Sequence, residues 1–250
     1  MKKCISVLLF SMVMIPLVLL TACHGGGASS TSSTSSASRS AAAGNNSSAP
    51  ESVGQEQSSP PANSKVLVAY FSRVGNTNFS DNVDVETSAS LNARKNGLAG
   101  STEIVAKQIH NQVGGDLVEI QTVKPYPADY KKTVQQNVDE AKTGFKPRLK
   151  TKIKNMDSYD KIYLGYPTWA MDIPRPIASF LSEYDLKGKT IIPFNTNGGY
   201  GLGSTVSSIR RLCPDSTLLE AFEMPGANVR DAKGVQKSVS DWLKKIGATK

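Results

Sequence analysis

The chain has 250 residues and a formal net charge of +8. Three cysteines are too few for a disulfide framework, and two histidines, His24 and His110, leave no set for a histidine metal site or a Ser-His-Asp triad. The basic balance admits acidic partners or an anionic surface and says nothing about fold.

The chain opens with Lys2 and Lys3, then an apolar run from Ile5 to Leu20 broken by Pro16. A membrane span needs ~20 apolar residues, so this shorter run fits the core of a secretory signal. Leu20-Thr21-Ala22-Cys23 follows and resembles the bacterial lipobox. The resemblance implies a signal peptide over residues 1–22, cleavage before Cys23, and lipid on the Cys23 sulfur. The mature protein would then be exported and lipid-anchored to the bacterial cell membrane on its extracytoplasmic side. An ordinary signal peptide with a chance cysteine is the alternative. Residues 24–64 hold 14 serines and one large aliphatic residue, Val53. Such a stretch cannot bury enough apolar surface to offset its ordering entropy. Residues 23–64 therefore read as a disordered tether spanning ~35 Å. Cys4 leaves with the signal, and Cys213 reads as a small buried apolar side chain.

From residue 65 on, strand and helix patterns alternate. Val66 to Phe71 is a continuous apolar run, as in a strand buried on both faces. Ile104, Val105, Gln108, Ile109 and Val113 mark a helical face. Leu117, Val118 and Ile120 form a second strand. Pro127 opens a helix with Tyr130, Val134, Val138 and Ala141 on one face. Ile162 to Gly165 is a third strand, and Ile177, Phe180, Leu181 and Tyr184 a helix entered through Pro174. Thr190 to Phe194 is a fourth strand, followed by Val206, Ile209 and Leu212 on a helix. Leu218-Leu219 begins a fifth strand, and Val235, Val239, Trp242, Leu243 and Ile246 close with a helix. This alternation implies one α/β domain over 65–250, with a parallel sheet covered on both faces. Ligands in such sheets bind outside the carboxyl ends of the strands, where strand order switches.

Three loops at those ends carry candidate chemistry. After the first strand, Ser72-Arg73-Val74-Gly75-Asn76-Thr77 offers hydroxyl and backbone N–H donors that can surround a phosphate. Without a lysine it is not a P-loop; a plain turn is the alternative. After the third strand, Pro167-Thr168-Trp169-Ala170 places a tryptophan at the sheet edge, suited to stacking or else folded back on the core. After the fourth strand, Asn195-Thr196-Asn197-Gly198-Gly199-Tyr200-Gly201 lets backbone approach a flat ligand. A flexible loop is the alternative there, and the stretch is not a dinucleotide fingerprint.

Together YFSRVGNT, YDKIYLGYPTWAMDIPRPIASFL and DLKGKTIIPFNTNGGYGLG resemble the flavodoxin family. The resemblance implies a doubly wound five-stranded parallel sheet in order 2-1-3-4-5, with helices on both faces and FMN as cofactor. By the same resemblance Ser72, Val74, Gly75, Asn76 and Thr77 hold the FMN phosphate. Pro167, Thr168, Trp169 and Ala170 cover one face of the isoalloxazine. Asn195, Thr196, Asn197, Gly198, Gly199, Tyr200 and Gly201 line its pyrimidine edge and other side. No catalytic acid–base residue and no metal are expected, because the redox chemistry belongs to the flavin.

The chain departs from the family pattern in three places. Residues 78–100 interrupt the passage from the Gly75-Asn76-Thr77 turn to its helix. There Val83, Val85, Thr87, Ala89 and Leu91 alternate with polar residues and Asn96-Gly97 signals a turn, so a small hairpin is expected. The helix restarts at Gly100-Ser101-Thr102-Glu103, where Ser101 or Thr102 is either an N-cap or a means of returning the helix start to the phosphate. Ala170-Met171-Asp172 follows Trp169 where many flavodoxins carry glycine. Finally, the domain is basic, with Lys146, Arg148, Lys150, Lys152 and Lys154 alternating along one segment. That segment is either a solvated edge or a docking face for an acidic redox partner or anionic lipid. Two functions fit: a membrane-tethered electron-transfer protein serving a redox partner protein or quinone, and an FMN-dependent NAD(P)H:quinone-type oxidoreductase. A flavin-binding or partner-binding module without turnover is a third, weaker fit. No nucleic acid is expected as a partner.

Overall fold

The computed structural model describes residues 65–79, 90–94 and 97–248. The signal peptide, Cys23 and the tether, and the alternating residues Val83 to Ala89, lie outside the described residues. The elements are β1 (Val66–Tyr70), β2 (Leu91–Arg94), β3 (Gly97–Gly100), α1 (Ser101–Val113), β4 (Asp116–Glu119), α2 (Tyr130–Thr143), β5 (Lys161–Pro167), α3 (Arg175–Glu183), β6 (Thr190–Asn197), α4 (Thr205–Leu212), β7 (Thr217–Leu218), β8 (Phe222–Pro225) and α5 (Ala232–Lys245).

The apolar strand runs divide by parity. Leu67, Ala69 and Phe71 enter one core, while Val68 and Tyr70 enter the other. Ile162, Leu164 and Tyr166 of β5 join the first, and Tyr163 joins the second. Successive strand side chains point to opposite faces, so a run apolar at every position needs cover on both sides. α3 and α4 supply it through Ile177, Phe180, Leu181 and Ile209. On the other face α1 and α5 contribute Val105, Ile109, Val113, Val235, Val239, Trp242 and Leu243. Complete burial of a large apolar side chain of this kind contributes about 1.5–3 kcal/mol.

All pairings in the main sheet are parallel, in the order β4-β1-β5-β6-β7, with β8 also pairing β6. This is the expected 2-1-3-4-5 order, with the fifth strand split between β7 and β8. Glu220 and Ala221 fall at the break, and Phe222 and Met224 resume the inward alternation. The insertion ends in the antiparallel hairpin β2–β3, with Arg94 opposite Gly97.

α2 differs from its reading in sequence. It begins at Tyr130, with the Asp129 carboxylate capping Lys132 N, three residues beyond Pro127. Its buried side chains are Thr133, Asn137 and Glu140, whereas Tyr130 and Val134 are exposed. The Thr133 hydroxyl donates to the Pro127 carbonyl at 2.8 Å, and the Tyr126 hydroxyl donates to Glu140 at 2.8 Å. These polar contacts fix the rotation of the helix, overriding its apolar periodicity.

Candidate cofactor site

The chain leaves β1, goes outward to β4, then returns past β1 to β5. Strand order therefore switches between β1 and β5, and the loops after β1, β5 and β6 meet above that point.

Ser72, two residues beyond β1, has its hydroxyl fully buried and without a hydrogen-bond partner among the described residues. The Thr77 hydroxyl is in the same state. Leaving a buried hydroxyl unpaired costs about 1–3 kcal/mol. Gly100 presses on this point, since a Cβ there would lie 2.0 Å from Ser72 Oγ. The N-terminus of α1 thus returns to the β1 loop despite the insertion. Gly100 is itself the N-cap, and its N–H donates to the Glu103 carboxylate at 3.4 Å. Ser101 and Thr102 are therefore not caps; both are fully buried.

Within the β1 loop Val74 is half-buried and Gly75 is exposed at φ +90°. A Cβ on Gly75 would strike the Glu119 carboxylate at 2.0 Å. Burial, chiefly, raises the Glu119 pKa, and the nearby Glu103 adds to it. Asn76 turns inward: its amide donates to the carbonyls of Ser72 at 2.9 Å and Ile120 at 3.0 Å, and its oxygen accepts from Thr122 N at 2.7 Å. Arg73 is buried too, donating to the carbonyls of Pro127 at 3.1 Å and Ala128 at 2.9 Å. Its pKa is lowered by burial, against the opposing pull of Asp129.

A run of hydrogen bonds joins the start of α1 to the loops after β5 and β6. The Thr102 and Thr196 hydroxyls share a hydrogen bond at 2.8 Å. Thr168 N donates to Thr196 O at 2.8 Å, and Thr168 Oγ1 donates to Gly201 O at 3.2 Å. Asn195 Nδ2 donates to Thr168 Oγ1, and Asn197 Nδ2 donates to Asn195 Oδ1 at 3.1 Å. Asn197 Oδ1 accepts from Gly199 N at 2.8 Å. Asn195, Thr196 and Asn197 are buried; Gly198, Gly199 and Tyr200 are exposed, Tyr200 by 73%.

Pro167 is buried at the end of β5, and Trp169 behind it is half-buried. The indole meets Phe71 and Tyr126 edge-on, each with centroids 5.3 Å apart. Its Nε1 donates to Ser90 Oγ at 3.1 Å, and the Ser90 carbonyl accepts from Ser101 N at 3.1 Å. Ser90, which the sequence pattern did not single out, thus ties the indole to the start of α1. Tyr126 is equally central: its N–H donates to Asn76 O at 2.7 Å and its hydroxyl reaches Glu140. Its pKa is raised, first by burial and then by Glu140. Neither residue lies in a motif, so their roles arise only from folding.

Beyond Trp169 the chain turns tightly. Ala170 and Met171 adopt φ of 47° and 63°, in the left-handed region that non-glycine residues rarely occupy. Reciprocal backbone hydrogen bonds between Trp169 and Asp172 close the turn at 2.9 and 3.0 Å. The Met171 carbonyl accepts from Ser204 N at 2.8 Å and Ser204 Oγ at 2.9 Å. The turn is strained, and its partner loop holds it in place.

Residues 94–246 match the flavodoxin family. No protein of curated function matches the chain. A protein named as a flavoprotein from Bacteroides eggerthii is 29% identical, with a TM-score of 0.56 over 74% of this chain and 98% of its own. Another of that name from Bacteroides uniformis is 27% identical, with a TM-score of 0.54 over 72% of this chain and 98% of its own. The Lactobacillus acidophilus flavoprotein in complex with FMN is 19% identical, with a TM-score of 0.48 over 68% of this chain and 99% of its own. The chain belongs to the flavodoxin family.

Proposed function

We infer that this flavodoxin binds FMN and works as an electron-transfer protein held at the outer face of a bacterial cell membrane. One observation carries the reading. Two buried hydroxyls, Ser72 and Thr77, lack acceptors among the described residues, and Ser72 lies against Gly100 at the α1 N-terminus, which favours an anion. A monophosphate supplies the missing acceptor oxygens. The residues fit the whole group: Ser72, Thr77, Thr102 and the backbone from Val74 to Gly75 hold the phosphate. Asn76 acts from behind, fixing the shape of that loop. Pro167 to Ala170 with Trp169 take one side of the ring. Asn195 to Gly201 take its pyrimidine edge, with Tyr200 over the other side. When bound, the flavin supplies the redox chemistry. The chain's own residues orient it, exclude water and set the polarity around it.

The full chain then comprises a signal peptide over 1–22, a lipidated tether over 23–64 and the FMN domain over 65–250, with 78–100 as an insertion. Nicotinamide cofactors are scarce outside the cytoplasm, which favours a redox protein or quinone as partner over NAD(P)H. Mixing the FMN-loaded protein with NADPH and a soluble quinone without oxygen tests this. NADPH is expected to leave the flavin spectrum unchanged while dithionite bleaches it. Rapid bleaching by NADPH with sustained quinone reduction would make the protein an oxidoreductase instead.

A further inference from the structure

Residues 146–154 run beside the exit of β4. Thr122 bridges Leu149 in antiparallel fashion, Val123 N donates to Arg148 O at 2.9 Å, and Lys150 N donates to Gln121 O at 2.7 Å. The strip alternates as an edge strand does. Leu149 is buried and Thr151 and Ile153 are half-buried, while Lys146, Arg148, Lys150, Lys152 and Lys154 are all exposed. Residues directly opposite in an antiparallel pair share a face, so Val123 stands beside Arg148 among the cations. Val123 is 58% exposed, and Phe145, which leads into the strip, is 53% exposed. Lys152 pairs with Glu183; Lys146, Arg148, Lys150 and Lys154 join no ion pair among the described residues.

We propose that this face rests on an anionic lipid surface. Charge complementarity is the first argument, since four unpaired cations on one edge attract a negatively charged leaflet. The second separates lipid from an acidic protein. Protein interfaces are depleted in lysine and enriched in arginine, whereas this strip carries four lysines and one arginine. Lysine stems can lie along an apolar boundary with their ammonium groups at the headgroups, and Val123 and Phe145 supply apolar contact between them. Docking of this kind is separate from any lipid on Cys23 and acts on the domain itself.

The test uses the domain from Lys65 onward, so that no anchor contributes. A chain of this extent is a folding unit, since the Bacteroides eggerthii relative is matched over 98% of its length by 74% of this chain. The domain is expected to sediment with phosphatidylcholine vesicles containing phosphatidylglycerol, to ignore vesicles of phosphatidylcholine alone, and to be released by high salt. Lys146→Glu, Arg148→Glu and Lys150→Glu together should weaken the binding on the order of a hundredfold, since each cation near such a surface contributes roughly fivefold. Phe145→Ser and Val123→Ser should each weaken it several-fold, and all variants should keep wild-type FMN binding. Equal sedimentation with both vesicle types, or no loss on charge reversal, overturns the proposal. So does retention on an immobilised acidic polypeptide without vesicle binding, which would mark a protein-docking face.

Discussion

Ser72 gives a signature with two opposite signs. Its hydroxyl is buried and unpaired among the described residues, so Ser72→Ala removes an unsatisfied group. The cofactor-free protein should therefore be unharmed or gain up to about 1 kcal/mol, a rise of a few degrees in Tm. FMN binding should fall about tenfold in the same variant, because a ligand hydrogen bond is lost. Thermal unfolding without FMN and a binding isotherm check both signs. A side chain that merely supported the fold would lower both. Glu119 gives a pH argument. Its folded pKa lies above the unfolded value, so its stability contribution is full at low pH and is lost as pH rises through the folded value. When ionised it places a negative charge against Gly75, in the loop proposed to hold the phosphate. Glu119→Gln should tighten FMN binding several-fold at neutral pH and less at pH 5. Comparison with the parent at each pH cancels the titration of the phosphate itself. Trp169→Ala should weaken FMN binding by about tenfold and shift its midpoint potential, since stacking distinguishes the two flavin redox forms. Thr77→Ala should weaken both forms alike and leave the potential in place. Ser90→Ala should shift the potential in the direction of Trp169→Ala, by less, because it frees the indole N–H without removing the ring.

Among the elements, β5 and β6 are pressed together at one point. Gly165 stands opposite Phe194 in the sheet register, and a Cβ on Gly165 would lie 2.2 Å from the Phe194 ring. Gly165→Ala should destabilise the fold by about 1–3 kcal/mol through overpacking, read as a lower denaturation midpoint at unchanged slope. The strands were legible in sequence because runs apolar at every position have one good solution, a sheet covered on both faces. α1, α3, α4 and α5 were legible for the matching reason, since their apolar stripes are the cover. α2 was legible as a helix but its orientation was not, because that is set by Glu140 to Tyr126 and Thr133 to Pro127, contacts that a hydrophobic period cannot report. Glu140→Ala should therefore be destabilising by about 1–3 kcal/mol, while Val134→Lys on the exposed face should stay within about 0.5 kcal/mol of the parent. The position of the candidate site was legible to the same extent. Its three loops stood at strand ends, where motif and topology agree. Ser90 and Tyr126 were hidden because each acts on a partner far along the chain.

At the scale of the whole molecule, the switch in strand order concentrates the chemistry at the carboxyl end of the sheet. The insertion does not displace it: Gly100 and Ser90 bring the start of α1 back to Ser72 and Trp169. The measurement that bears most directly on this account is a titration of the cofactor-free protein with FMN, set beside one with riboflavin. One FMN per chain should bind saturably with quenching of the flavin emission, and riboflavin, lacking the phosphate, should bind at least tenfold more weakly. FMN that stays free in solution, or riboflavin that binds as tightly as FMN, would contradict it.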